Sequence, residues 1–171
     1  MKLKIFLLFI IYNLSFYIVA TATIRYVSKT GTSTPPYTTW ATVSDSIQKC
    51  INLCQSGDTI YVANGVYKEN LIINKEIALI GSSMDSTVID GTVLTVITVY
   101  YYPAGVGGSF ENVKVLGKGI NQGACILAER DILVKNCRLT QDQRGISNFS
   151  STAAENLIIE KVYKSVYAIG E

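Results

Sequence analysis

The chain has 171 residues, 49% of them hydrophobic and only 16% charged, with 15 Lys and Arg against 13 Asp and Glu, a size that suits one domain or part of one. It contains no histidine, which excludes a Ser-His-Asp or Cys-His relay, a histidine general base and any His-liganded zinc. Its 13 glycines, three prolines and many β-branched residues point to a packed, strand-rich body.

In chain order, Met1-Lys2-Leu3-Lys4 is followed by an apolar run from Ile5 to Ala20, and Ala20-Thr21-Ala22 has the small-x-small form of a processing site. Residues 1–22 therefore read as a signal peptide, with a mature start at Thr23 and no membrane span after cleavage; an uncleaved anchor is the competing reading. Loss of Lys2 and Lys4 leaves 13 basic residues against 13 acidic ones, so the electrostatics give no case for nucleic acid. A short strand is expected at Ile24–Val27, then a turn-rich loop over Gly31–Pro36. From Trp40 to Cys54 the apolar residues Trp40, Val43, Ile47, Cys50, Ile51 and Cys54 recur every three or four positions. That spacing predicts one amphipathic helix, with Thr39 as its N-cap and Gly57 beyond its end. Residues 23–58 thus form an N-terminal strand, loop and helix.

Beyond Gly57-Asp58, over 59–171, short β-branched runs alternate with Gly, Asn and Asp turns. Strands are expected at Thr59–Val62, Leu71–Ile73, Ile77–Ile80, Thr87–Ile89, Leu94–Tyr100, Asn112–Leu116, Cys125–Ala128, Ile132–Val134, Cys137–Leu139, Leu157–Ile159 and Val166–Ile169, none longer than seven residues. Strands so short, with no helices between them, exclude a doubly wound α/β sheet. Asn70, Asn112, Asp131 and Asn156 each precede such a strand, at intervals that suit a solenoid of roughly twenty-residue coils. Stacked Asn side chains at a bend can bond neighbouring coils. This repeat pairs Cys137 with Val162 and turns Cys137 inward. A β-sandwich, the competing architecture, would show hairpin turns and polar alternation. Cys50 and Cys54 share a helix face, and Cys125 and Cys137 lie twelve apart; the four can be buried free thiols or, with some strain, bridged.

At these residues the chain resembles the right-handed parallel β-helix proteins of the pectin lyase-like superfamily. The resemblance lies in the amphipathic helix followed by Ser56-Gly57-Asp58-Thr59-Ile60, Gly65-Val66-Tyr67-Lys68-Glu69-Asn70, Ile77-Ala78-Leu79-Ile80-Gly81 and Thr87-Val88-Ile89-Asp90-Gly91. It implies an all-β fold, a right-handed parallel β-helix whose open end is capped by the one N-terminal α-helix. The chain stops just after a strand with no second cap visible, so later coils are expected beyond it.

The resemblance also implies a polysaccharide or cell-wall glycan as partner, bound or cut in a groove along one sheet, in a secreted or cell-surface protein. The acidic residues are scattered, apart from Glu129 and Asp131 on either side of Arg130, so no metal site and no cofactor are expected. Gly65-Val66-Tyr67-Lys68-Glu69 and Gln141-Asp142 are similar to segments of pectinesterases, and Gln122 falls where a further glutamine of that family would. The similarity implies Asp142 as general acid and Gln122 and Gln141 as oxyanion donors. At the nucleophile's place the matching segment, Val166-Tyr167-Ala168-Ile169-Gly170, offers Val166. Tyr67 and Glu69 have a structural reading, as cover for an early coil and as a bend residue. The run Tyr100-Tyr101-Tyr102 before a glycine-rich loop offers aromatic faces for a sugar. The main reading is a polysaccharide-binding or surface-presenting protein. A pectinesterase-like or lyase-like enzyme and an adhesin-like structural repeat are the alternatives.

Overall fold

The computed structural model describes residues 21–92, 95–100, 108–118, 123–140, 144–148, 152–160 and 164–168. The signal-peptide reading of residues 1–22 falls almost wholly outside them. Fourteen strands and one helix follow in order: β1 (Ile24–Val27), α1 (Ile47–Leu53), β2 (Thr59–Val62), β3 (Gly65–Tyr67), β4 (Leu71–Ile73), β5 (Ala78–Gly81), β6 (Thr87–Asp90), β7 (Thr95–Val99), β8 (Ser109–Glu111), β9 (Lys114–Leu116), β10 (Ala124–Ala128), β11 (Ile132–Thr140), β12 (Arg144–Asn148), β13 (Thr152–Glu160) and β14 (Lys164–Ala168).

Every described strand pair is parallel, and the registers wind the chain into a solenoid with three faces. The first sheet runs β1-β2-β5-β8 and on to the first halves of β11 and β13. The second runs β3-β6-β9 and on to the second halves of β11 and β13. The third runs β4-β7-β10-β12-β14. Successive coils on the first face are offset by 19 residues at Thr59↔Ala78, 31 at Ala78↔Ser109, 24 at Ser109↔Leu133 and 20 at Leu133↔Ala153. Insertions enter at the bends and leave the strands in register.

Because side chains alternate across a strand, each sheet sends one column inward. Ile60, Leu79, Phe110 and Val134 stack from the first sheet, Tyr67, Ile89, Val115 and Leu139 from the second, and Leu71, Ile97, Ile126 and Ile146 from the third. All twelve are buried, each contributing about 1.5–3 kcal/mol of apolar burial. Cys137 is an inward member of this core, as expected.

Several expectations are corrected. The helix spans Ile47–Leu53, with Ser46 as N-cap accepting from Lys49 N. Thr39 instead closes a turn, accepting from Thr42 N at 3.1 Å, and Val43 and Ser44 continue along the edge of β1, where Ser44 N donates to Tyr26 O at 2.9 Å. β11 and β13 are nine residues each, because a single left-handed residue, Asn136 or Asn156, turns the corner without ending the ladder. Asn112, Asn136 and Asn156 share φ of 49–55° and follow one another in register; Asn156 Nδ2 donates to Asn136 Oδ1 at 2.8 Å. The ladder therefore includes Asn136, not Asp131, and Cys137 pairs with Leu157, not Val162. Asn70 turns a different corner, where its Oδ1 accepts from Thr92 N at 2.9 Å in the next coil.

The helix closes the N-terminal end of the solenoid. Ile47, Cys50 and Ile51 turn inward from it and join the core with Cys54, Val27, Ile60 and Leu71. None of the four cysteines is joined in a disulfide, and all are buried.

Candidate functional site

The Gly65-Val66-Tyr67-Lys68-Glu69 segment serves the fold. Tyr67 is wholly buried, and its hydroxyl donates to Ala63 O at 2.9 Å. Glu69 reaches back to the helix N-terminus, where its carboxylate accepts from Ser46 Oγ at 2.8 Å, Ile47 N at 3.1 Å and Gln48 N at 2.9 Å. A negative group there satisfies donors that no helical turn can and meets the positive end of the helix dipole. Asp58 plays a similar part. Buried, it accepts from Thr23 N at 2.7 Å and Gln55 N at 2.9 Å and lies 3.4 Å from the Arg25 guanidinium.

In the sequence, the residues expected to carry chemistry stand next to strands of the third sheet. Gln122, Gln141 and Asp142 lie outside the described residues, as do Tyr101 and Tyr102. The strands that flank them are described. The chain leaves the second sheet at Leu116 and Thr140 and joins the third at Ala124 and Arg144. In the sequence Gln122 stands two residues ahead of β10, and Asp142 two ahead of β12. Tyr100 sits at the opposite edge of that sheet, its N–H donating to Ile73 O at 2.9 Å and its side chain 44% exposed. Between the two edges the outward row of the sheet is Ile72, Thr98, Leu127 and Ser147.

The register also corrects the position expected for a nucleophile. Val166 pairs with Ile146 within the third sheet and so does not succeed Asp142. Arg144↔Lys164 is an offset of 20, so the residue that precedes β14 as Asp142 precedes β12 is Val162.

Sequence reasoning missed a set of charged groups on the adjoining second sheet. Lys118 Nζ lies 2.7 Å from Asp90 Oδ1, and Arg138 bridges Asp85 and Glu160, each at 3.2 Å. The 20-residue offset that pairs Thr140 with Glu160 and Arg138 with Ile158 was the signal that could have found the second of these. Among the described residues no three Cys, Asp or Glu side chains are placed to hold a metal ion.

No protein-family model and no curated protein matches the chain. Solved structures do. Over 79% of this chain and 54% of the other, it is similar to the pectin methylesterase PemA from Erwinia chrysanthemi, at 15% identity and a TM-score of 0.55. Over 88% of this chain and 59% of the other, it is similar to a pectin methylesterase from Aspergillus niger, at 17% identity and a TM-score of 0.57. A pectin methylesterase in complex with a hexasaccharide matches at 16% identity and a TM-score of 0.53. The chain is thus a right-handed parallel β-helix of the pectin lyase-like fold, its described residues mostly strand with one capping helix. It spans between 54% and 59% of the length of these structures.

Proposed function

We propose that this chain belongs to an exported protein that binds a polysaccharide, with a methylated galacturonan as the first ligand to test. The observation that supports this reading is the layout of the third sheet. Exposed Tyr100 follows β7 of that sheet, Gln122 and Gln141-Asp142 stand in the sequence just ahead of its strands β10 and β12, and the fold is that of proteins named for pectin. The leader at residues 1–22 directs export and is removed; among the described residues no helix is long and apolar enough to cross a membrane. Tyr100, Tyr101 and Tyr102 supply stacking faces for sugar rings.

The 20-residue register supports binding without turnover. Esterase chemistry of the pectinesterase kind needs a second carboxylate one coil after Asp142, and Val162 has no atom that can attack an ester. In affinity gels, methylated pectin should retard the full chain, Tyr100→Ala should weaken that retardation several-fold, and no methanol should be released. The fold likeness favours a second reading, an esterase with Asp142 as acid and Gln122 and Gln141 as oxyanion donors. Methanol release that Asp142→Asn abolishes would establish it and overturn the binding-only reading. Failure of every polysaccharide to bind would leave a structural repeat.

A further inference from the structure

The first sheet, remote in its chemistry from the corner just described, carries an aromatic strip that no part of the reading above uses. Along β1, β2 and β5 the outward positions are Ile24 and Tyr26, Thr59 and Tyr61, Ala78 and Ile80, paired in register. Trp40 lies over Tyr26 with ring centroids 4.5 Å apart and planes at 46°, and Tyr26 stacks with Tyr61 at 6.0 Å and 22°. These groups are open to solvent: Trp40 is 53% exposed, Ile24 47% and Tyr61 37%. An indole so exposed gains little from packing, since most of its apolar surface stays in water.

The strip is also held in place before any ligand arrives. The segment bearing Trp40 is tied to the backbone of Tyr26 on both sides, Tyr26 N donating to Tyr37 O at 2.8 Å and Ser44 N to Tyr26 O at 2.9 Å. The turn under the indole is closed by the Thr39–Thr42 hydroxyl contact at 2.8 Å. Little conformational freedom is left to lose on binding.

Beside the strip, two residues back along the strands and so about 7 Å away, a groove of about 280 Å³ runs across successive coils. Gly57, Ala78, Gly108, Ser109 and Leu133 line it, with Glu76 at its wall. Its depth depends on Gly108, whose φ of +98° suits glycine and whose Cβ, if present, would lie 2.2 Å from Ile77 O.

Charge decides what such a surface accepts. None of the six outward positions on the first three strands is charged; the first charged ones are Glu111 and Lys135 further along the sheet. The ionisable group at the groove is the carboxylate of Glu76, which repels a uronate and accepts hydrogen bonds from a sugar hydroxyl. Aromatic faces for C–H surfaces, hydroxyls of Tyr61, Thr59 and Ser109, and no cation at the six outward positions of the first three strands describe a neutral glycan.

We propose that the outer surface of the first sheet, over Trp40, Tyr26 and Tyr61 and along the adjoining groove, binds a neutral polysaccharide chain. This site is separate from the galacturonan surface on the third sheet, and either can fail without the other. Trp40 is the single tryptophan of the chain, so its fluorescence reads this surface alone. Titration of the full chain with hydroxyethylcellulose, xyloglucan or galactomannan should shift Trp40 emission to the blue for at least one of them, with retardation in the matching affinity gel. Tyr61→Ala should weaken both about tenfold or more. Trp40→Ala should weaken the retardation equally while Trp40→Phe keeps part of it, and Tyr100→Ala should change nothing. The proposal is overturned if no neutral polymer shifts the emission, or if polygalacturonate shifts it as strongly. It is also overturned if the emission moves with protein concentration alone, which would assign the strip to contact with a second copy.

Discussion

A single carboxylate, Glu69, joins the second coil to the helix that closes the solenoid. Its three hydrogen bonds go to donors at the helix N-terminus, two of them backbone groups that no helical turn satisfies. Glu69→Ala should therefore cost about 2 kcal/mol and Glu69→Gln roughly half as much, read as shifts in the urea midpoint. The asparagine corner makes a comparable prediction. Asn136 is left-handed and accepts from Asn156, so Asn136→Ala loses a hydrogen bond and adds backbone strain, together about 2 kcal/mol. Asn136→Gly loses the bond without the strain and should be the milder change; an equal or greater loss for glycine would show that the left-handed corner is not what asparagine serves. Burial acts at this scale as well. It pushes the Cys137 thiol up to about 11 and the Tyr67 phenol up to about 12, against ordinary values near 9 and 10. The unfolded chain gives up these protons first, so stability is full below about pH 9 and falls as pH rises toward 11 and then 12. For Cys137 the loss is on the order of 3 kcal/mol. Cys137→Val should make the slope above pH 9 in thermal melts shallower, leaving the part that Cys50 and Tyr67 contribute.

At the scale of elements, what the sequence showed and what it hid separate along a physical line. Strands with two or more inward β-branched or aliphatic residues, such as Thr59–Val62 and Thr95–Val99, were legible from pattern alone. β3, β8 and β12 were not, since Gly65-Val66-Tyr67, Ser109-Phe110-Glu111 and Arg144–Asn148 carry one or two core residues among polar or small ones, and their pairing comes from the coils on either side. The helix was read seven residues too long at its start because Trp40 and Val43 continue the helical spacing by chance; Val43 is buried from an extended segment and Trp40 is not buried at all. Of the candidate site, the tyrosine run and the Gln-Asp segment were visible as composition and resemblance. The Trp40–Tyr26–Tyr61 strip was not, because Tyr26 meets Tyr61 only through the parallel register of β1 with β2, and Trp40 meets Tyr26 only through the return of its segment along β1. Close packing between coils yields a test at this scale. A Cβ on Gly81 would lie 2.2 Å from Asn112 O and 2.9 Å from both Thr87 Cβ and Val113 Cγ1, so nothing flexible can yield. Gly81→Ala should destabilise by more than about 2 kcal/mol or prevent folding, measured by urea unfolding with circular dichroism.

At the scale of the whole molecule, the arrangement is one-dimensional: each coil touches its neighbours, and the helix touches only the first coils. Such stacks open from their ends at lower free energy than through the middle. The four thiols are distributed to report this, since Cys50 and Cys54 lie in and beside the helix while Cys125 and Cys137 lie on inner strands. All are fully buried, so reaction with a thiol reagent requires opening, not surface attack; the hydrogen bond between Cys50 and Cys54, with burial, raises the Cys50 thiol. The native chain should react negligibly with an aromatic disulfide reagent, and the unfolded chain should release four equivalents with or without prior reductant. In dilute urea the helix end should open first. Cys50→Ala with Cys54→Ala should then remove the fast phase, whereas Cys125→Ala with Cys137→Ala should leave it in place. A single phase shared by all four thiols would mean that helix and coils unfold as one unit, with the Glu69 and Asp58 contacts coupling the cap to the solenoid as tightly as the coils are coupled to one another.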